Sequence, residues 1–128
     1  MVAAALYDAQ GRVLIAERPA GKHMAGRWEF PGGKVARGES ELEALERELR
    51  EELGVEVESA QPLMRLSHNY EDRQVELSLW LIGTYRGTPR PLERQRLKWV
   101  DPPRLADEDI LEAARPFVAA LAARAAPA

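Results

Sequence analysis

The sequence predicts an α+β fold in which a mixed β-sheet lies between helices, an α/β/α arrangement. Three observations predict it. Strand-type segments gather at the N-terminal end and again in the second half of the chain, helical signatures occur at two separate places, and no regular strand–helix alternation joins them. A length of 128 residues suits one domain, 1–128, large enough to bury roughly two thirds of its unfolded surface.

The elements follow in order. Val2 to Tyr7 is apolar, "DAQG" is turn-rich, and in "RVLIAER" Val13 and Ile15 alternate with Leu14 and Ala16, so a β-hairpin is expected with Gly11 in its turn. Pro19 to Gly38 holds five glycines and two prolines around Trp28, Glu29 and Phe30; a long constrained loop with one short strand is expected, and such loops are often functional. Ser40 and Glu43 form a capping-box pair and Gly54 stands where a left-handed residue would end a helix, which predicts a helix over 40–53. Pro62 to His68 and Val75 to Tyr85 read as strands joined by "NYEDR", the second apolar on both faces like a central strand. "RLKWV" is a further short strand. "RPFVAALAARA" reads as a closing helix with Pro116 near its first position.

Composition excludes several classes. Hydrophobic residues at 45% and charged residues at 30% match a globular protein, and no apolar run approaches the roughly 20 residues of a membrane span. The first residues lack the features of a secretory signal, and without cysteine there is no disulfide framework, so the cytoplasm is the expected location. A net charge of −3 argues against a broad nucleic-acid surface and a stable nucleic-acid partner, while leaving room for a small phosphorylated ligand. No segment reads as an obligate subunit interface.

The stretch "RELREELGV" from Arg47 to Val55 concentrates three glutamates, Glu48, Glu51 and Glu52. At about 100° per residue, Leu42, Leu45, Leu49 and Leu53 share a stripe roughly 80° wide that faces the core. Glu43, Glu46 and Arg50 lie on the solvent side. Glu48, Glu51 and Glu52 occupy an arc of about 100° displaced to one edge of the core, with Glu52 beside the leucines. Such a group is either a solvated acidic face relieved by Arg47 and Arg50 or a site whose mutual repulsion a divalent cation offsets, since carboxylates and carbonyls suit hard ions such as Mg²⁺ or Mn²⁺.

The wider spacing bears on that choice. Five residues separate Gly33 from Glu39 and seven separate Glu39 from Arg47, followed by Glu48, Leu49, Glu51, Glu52, Gly54 and Val55. This pattern resembles the Nudix box at every specified position over 33–55, and "HMAGRWEFPGGKV" resembles the preceding loop of the MutT-type branch. The resemblance implies a Nudix fold and an enzyme that hydrolyses nucleoside triphosphates to a monophosphate and pyrophosphate with Mg²⁺, or Mn²⁺, held by the box helix. By position it implies Glu48, Glu51, Glu52 and the Gly32 carbonyl as metal ligands, Arg47 as the residue orienting the glutamates, and Glu39 as a brace for the loop. Glu93, six residues before Trp99 as in MutT-type enzymes, would join the metal site. Glu48 and Glu93 compete for the role of base acting on water. Gly33 and Gly54 would be structural, Gly32 and Gly33 admitting close approach of the backbone.

Substrate contacts implied by the same branch are Arg18 and Lys34 for phosphates, and His23, Glu29, Phe30 and Arg73 along the nucleotide pocket. Plain surface charge or packing is the alternative for each. Trp28, Trp80 and Trp99 read as core or pocket wall. One position departs from the oxidised-guanine enzymes: the Asn or Asp expected two residues before Pro116 is Ala114, whose side chain forms no hydrogen bond to a base, and Asp109 substitutes only with an alignment gap. Removal of 8-oxo-dGTP from the nucleotide pool, a DNA-repair role, remains the leading substrate expectation despite that departure. CTP or 5-substituted pyrimidine triphosphates stand next, and a non-catalytic nucleotide-binding module is the rival from another class. That rival usually loses box glutamates, which this chain keeps.

Overall fold

The computed structural model describes residues 1–22 and 24–124. Its strands are β1 (Val2–Ala5), β2 (Val13–Glu17), β3 (Trp28–Glu29), β4 (Gly32–Gly33), β5 (Glu56–Asn69), β6 (Gln74–Arg86) and β7 (Leu97–Val100). Helix α1 spans Glu41–Leu53 and α2 spans Arg115–Ala122, with 3₁₀ turns at Pro102–Asp107 and Glu112–Ala114. One sheet has the order β4-β1-β6-β5 and the other β3-β2-β7. In the first, β1 runs parallel to β6, with Val2 registered against Ser78, and antiparallel to β4.

Alternation along β1 explains the layering. Val2, Ala4 and Leu6 pack with Leu45, Leu49 and Leu53 of α1, while Ala3, Ala5 and Tyr7 pack with Phe117, Val118 and Leu121 of α2. Successive side chains of a strand point to opposite faces, so a strand apolar at every position must be covered on both sides. Central strand β6 divides likewise, with Leu79 and Leu81 toward α2 and Ile82 toward α1. The result is the expected mixed sheet between helices.

Three local expectations change. The hairpin closes only at its turn, where Tyr7 bridges Val13 and the Leu14 N–H donates to the Leu6 carbonyl, after which β1 and β2 part into different sheets. β1 is buried throughout and β2 over Val13 to Ala16, and each finds other neighbours, β6 and β4 for one, β7 and β3 for the other. Leu42 is 37% exposed rather than part of the core stripe. The first turn of α1 is fastened instead by Glu41, which accepts from Arg65, the Ser78 hydroxyl and the Trp80 indole. The loop after Pro19 contains two short strands, β3 and β4, not one.

Helix α1 has the expected ends. The Ser40 hydroxyl accepts from the Glu43 N–H at 3.1 Å, the Glu43 carboxylate accepts from the Ser40 N–H at 2.9 Å, and Gly54 is left-handed at φ +72°. A cap of this kind contributes about 0.5–2 kcal/mol. It sets where the glutamates of the following turns emerge.

Candidate active site

Backbone geometry at Gly32 and Gly33 shapes the site first. Strand β4 lies so close to β1 that a β-carbon on Gly32, whose φ is +154°, would stand 2.0 Å from the Val2 carbonyl oxygen. At Gly33 a β-carbon would meet the Glu48 carboxylate at 2.4 Å from Cδ. Glycine is required at Gly32, where the clash is with backbone, while at Gly33 a β-carbon would displace the flexible end of Glu48.

Against that backbone stands the acidic face of α1. The Glu52 carboxylate accepts from the Gly32 N–H at 3.2 Å. Burial, followed by the charges of Glu48 and Glu93, pushes the Glu52 carboxyl up to about 8, with Glu29 adding to the effect. Glu29, Glu48, Glu52 and Glu93 all line one open cleft of about 1040 Å³. Glu51 does not: its side chain is 54% exposed and faces Arg47 at 3.4 Å. The arc therefore divides, because Glu48 and Glu52 lie about 40° apart on the helix while Glu51 lies about 60° beyond Glu48 on the side away from the leucines. Among the described residues, no three acidic or histidine side chains stand close enough together to enclose an ion as they are arranged.

Arg47 lies at the outer edge of this group. Its guanidinium donates to Glu39 at 2.7 and 2.9 Å, to Glu48 at 3.0 Å and to the Lys34 carbonyl at 3.0 Å. A planar fork with several donors can hold a loop, a brace and a helix carboxylate in one plane, which a lysine could not. Its hydrogen bonds, joined by the Ala36 N–H, pull the Glu39 carboxyl down to about 2. Glu39 and Glu52 thus sit at opposite electrostatic extremes, one matched by a cation and one facing other carboxylates. Glu52, crowded by other carboxylates and met by no cation of its own among the described residues, lies in a cleft open to solvent beside the Gly32–Gly33 backbone, with Glu48 steadied by Arg47; oxygen donors of this kind fit a hard divalent ion that would offset their repulsion.

The loop carrying Glu93 is tied to the end of α1. The Leu92 N–H donates to the Glu52 carbonyl at 3.1 Å, and the Arg90 N–H to the Leu53 carbonyl at 2.9 Å, satisfying carbonyls that a helix end leaves unpaired. Gln95, 8% exposed, accepts from the Glu93 N–H at 3.0 Å and donates to the same Glu52 carbonyl at 3.2 Å. Sequence reasoning did not single out Gln95; a lone polar residue ahead of a strand carries no signal of a partner 43 positions away.

The rest of the cleft is different in kind. Arg18 lines it, but its guanidinium is engaged by Glu29 at 2.8 and 3.1 Å, and burial holds the Glu29 carboxyl above its ordinary value against the pull of Arg18 and Lys22. Lys34 lines the cleft and is exposed. Arg73 and Tyr70 lie at the β5–β6 turn, the guanidinium 5.9 Å from the ring centroid. Tyr70 is a second lining residue that the sequence reading passed over. Phe30 is buried edge-on to Phe117 at 6.4 Å, and Ala113 and Ala114 complete an apolar wall. Asp109 does not line the cleft, and its carboxylate pairs with Arg27, so it does not stand in for the side chain that Ala114 lacks. His23 lies outside the described residues. Trp28, Trp80 and Trp99 are wall or core elements away from the cleft; Trp28 packs beneath Arg96 and Lys98.

Comparison with known proteins gives the same picture. Residues 2–120 match the NUDIX domain family. The chain is 39% identical to the CTP pyrophosphohydrolase of Escherichia coli K12, over 98% of this chain and 96% of that protein. It is 35% identical to the 8-oxo-dGTP diphosphatase of the same organism, over 91% and 90%. A solved structure from a study of MutT from Aliivibrio salmonicida and Vibrio cholerae superimposes with a TM-score of 0.83 at 33% identity, covering 95% of this chain and 94% of that one.

Proposed function

Since the chain belongs to the NUDIX family, we propose that it is a divalent-metal-dependent nucleoside triphosphate pyrophosphohydrolase that releases a nucleoside monophosphate and pyrophosphate. The observation that carries the reading is the Glu48, Glu52 and Glu93 group around the Gly32–Gly33 backbone, with Glu52 raised to about 8. Among the described residues no helix is long and apolar enough to cross a membrane, and a cytoplasmic nucleotide pool is the proposed setting.

In this reading Glu48, Glu52 and Glu93, with the Gly32 carbonyl, would hold Mg²⁺ or Mn²⁺, and Glu51 would contribute only from the rim. Held by those residues, such an ion would supply charge neutralisation for the phosphates and a lowered pKa for the attacking water. Glu48 takes the proton of the attacking water, with Glu93 the alternative base. Arg47 keeps Glu48 against Gly33, where the carboxylate already has no room to swing inward. Lys34 meets the outer phosphates. Arg18, charge-matched by Glu29, presents a fixed donor plane, with the pair aligning the substrate rather than neutralising it. Tyr70, Arg73 and Phe30 border the base.

Oxidised guanine, as 8-oxo-dGTP, is the first substrate to try. CTP or a 5-substituted pyrimidine triphosphate is the second reading, favoured by Ala114, which leaves an apolar wall where a base-reading amide or carboxylate would stand. The test is pyrophosphate release from a panel of triphosphates with Mg²⁺, for the wild type and for Glu48→Gln and Glu52→Gln. Monophosphate and pyrophosphate are expected from at least one of 8-oxo-dGTP, CTP and the dCTP analogues, with about 10²–10⁴-fold losses in the variants. A wild type inert on the whole panel, or variants at full rate, would overturn the reading.

A further inference from the structure

We propose that Gln95 is a positioning residue for Glu93, fixing the distance between the Glu93 loop and the box helix through a single buried side-chain amide; this rests on the pyrophosphohydrolase reading above. Both ends of that amide are used. Its oxygen holds the Glu93 N–H at 3.0 Å and its nitrogen holds the Glu52 carbonyl at 3.2 Å. The two backbone groups belong to two of the acidic residues that share the cleft, so one side chain sets the spacing between them.

The loop needs such a restraint. Arg94, between Glu93 and Gln95, has φ +61°, a left-handed conformation that costs an L-residue about 1–2 kcal/mol. Glu93 itself is exposed, and its charge is unfavourable to an ionised Glu52. Neither strain nor repulsion favours the observed loop, whereas the Leu92 N–H, the Arg94 N–H to the Pro91 carbonyl at 3.0 Å, and the Gln95 amide do. Of these, only the Gln95 contact reaches both Glu93 and the helix. Residues that orient a metal-binding carboxylate without touching the ion typically change affinity or activity by 10–100-fold.

Gln95→Met keeps the length and volume of the side chain and removes both hydrogen bonds. The expected result is a Mn²⁺ dissociation constant raised about 10-fold, measured by titration in the absence of nucleotide, and a kcat lowered by a similar factor with KM changed less than about 3-fold. The thermal midpoint stays within a few degrees. In a Glu93→Ala background, Gln95→Met is expected to add no further loss in either quantity, because the residue it positions has gone. Losses that multiply across the two substitutions, or a Gln95→Met protein with wild-type Mn²⁺ affinity, would overturn the proposal. If the wild type hydrolyses no nucleotide, the enzymatic reading fails while the Mn²⁺ cycle still decides the role of Gln95. Should Gln95→Met not fold, Gln95→Asn takes its place in the same cycle, since its amide is one methylene too short to span both partners.

Discussion

The two ends of the cleft are built by opposite rules. At the box end, Gly32, Gly33, Glu39, Arg47, Glu48, Glu52 and Gln95 are held by named hydrogen bonds or by close contact distances. At the other end, Tyr70, Arg73, Leu111 and Ala114 line the cleft, with an apolar wall at Ala113 and Ala114. On the proposed reading, the difference teaches that the phosphate chemistry would tolerate little positional error while the choice of base would be left to shape. Electrostatic catalysis depends on groups arranged before the reaction begins, and apolar walls discriminate by only about 1–3 kcal/mol per methylene.

The sharpest way to break the contrast is to release the box end. Arg47→Ala should lower kcat about 100-fold with base preference unchanged, and Arg47→Lys should not restore it, because a point charge cannot serve Glu39, Glu48 and the Lys34 carbonyl together. Kinetics on two triphosphates would check both parts. Gly33→Ala is expected to cost about 10- to 100-fold in kcat by pushing the Glu48 carboxylate aside, with the fold retained in circular dichroism.

Proton linkage sharpens the same contrast without touching activity. Glu52 has a folded-state pKa of about 8 against 4.5 unfolded, so the folded state binds its proton more tightly. Stability of the metal-free protein should therefore fall as pH rises from about 4.5 to about 8 and level off above, by up to a few kcal/mol at this one residue. Denaturant melts should show Glu52→Gln losing that slope and exceeding the wild type at pH 8. Added Mg²⁺ should stabilise the wild type there and the variant much less. Glu39 has the opposite sign: its contribution is complete above about 4.5 and is lost as pH falls toward about 2. The smallest effect belongs to the base end. Ala114→Asn should raise kcat/KM for 8-oxo-dGTP relative to CTP by about 3- to 10-fold, and an unchanged ratio would mean that the base does not reach Ala114.

What could be read before the structure follows the same division. Helix α1, its caps and the Glu39–Arg47 spacing depend on contacts within one turn or one adjoining loop, so short-range pattern suffices. The parting of β1 from β2 could not be read, because a fully apolar strand does not say which of several partners will flank it. The outward turn of Glu51 and the engagement of Arg18 by Glu29 depend on side-chain direction, on which residue type alone is silent. Gln95 joins positions far apart in sequence and leaves no periodic mark.

The placement of β1 also has a bearing on synthesis. Val2 to Ala5 find their parallel partners only at Ser78 to Leu81, and α1 rests on that same strand. A growing chain at 5–20 residues per second would wait about 4–15 s between making β1 and making its parallel partner β6, with only the two-residue β4 available to pair with it in the meantime. Contacts of such long range slow folding and expose a strand edge to other chains. Strand β1 is thus made well before the strand that completes its pairing, and its apolar edge is covered late.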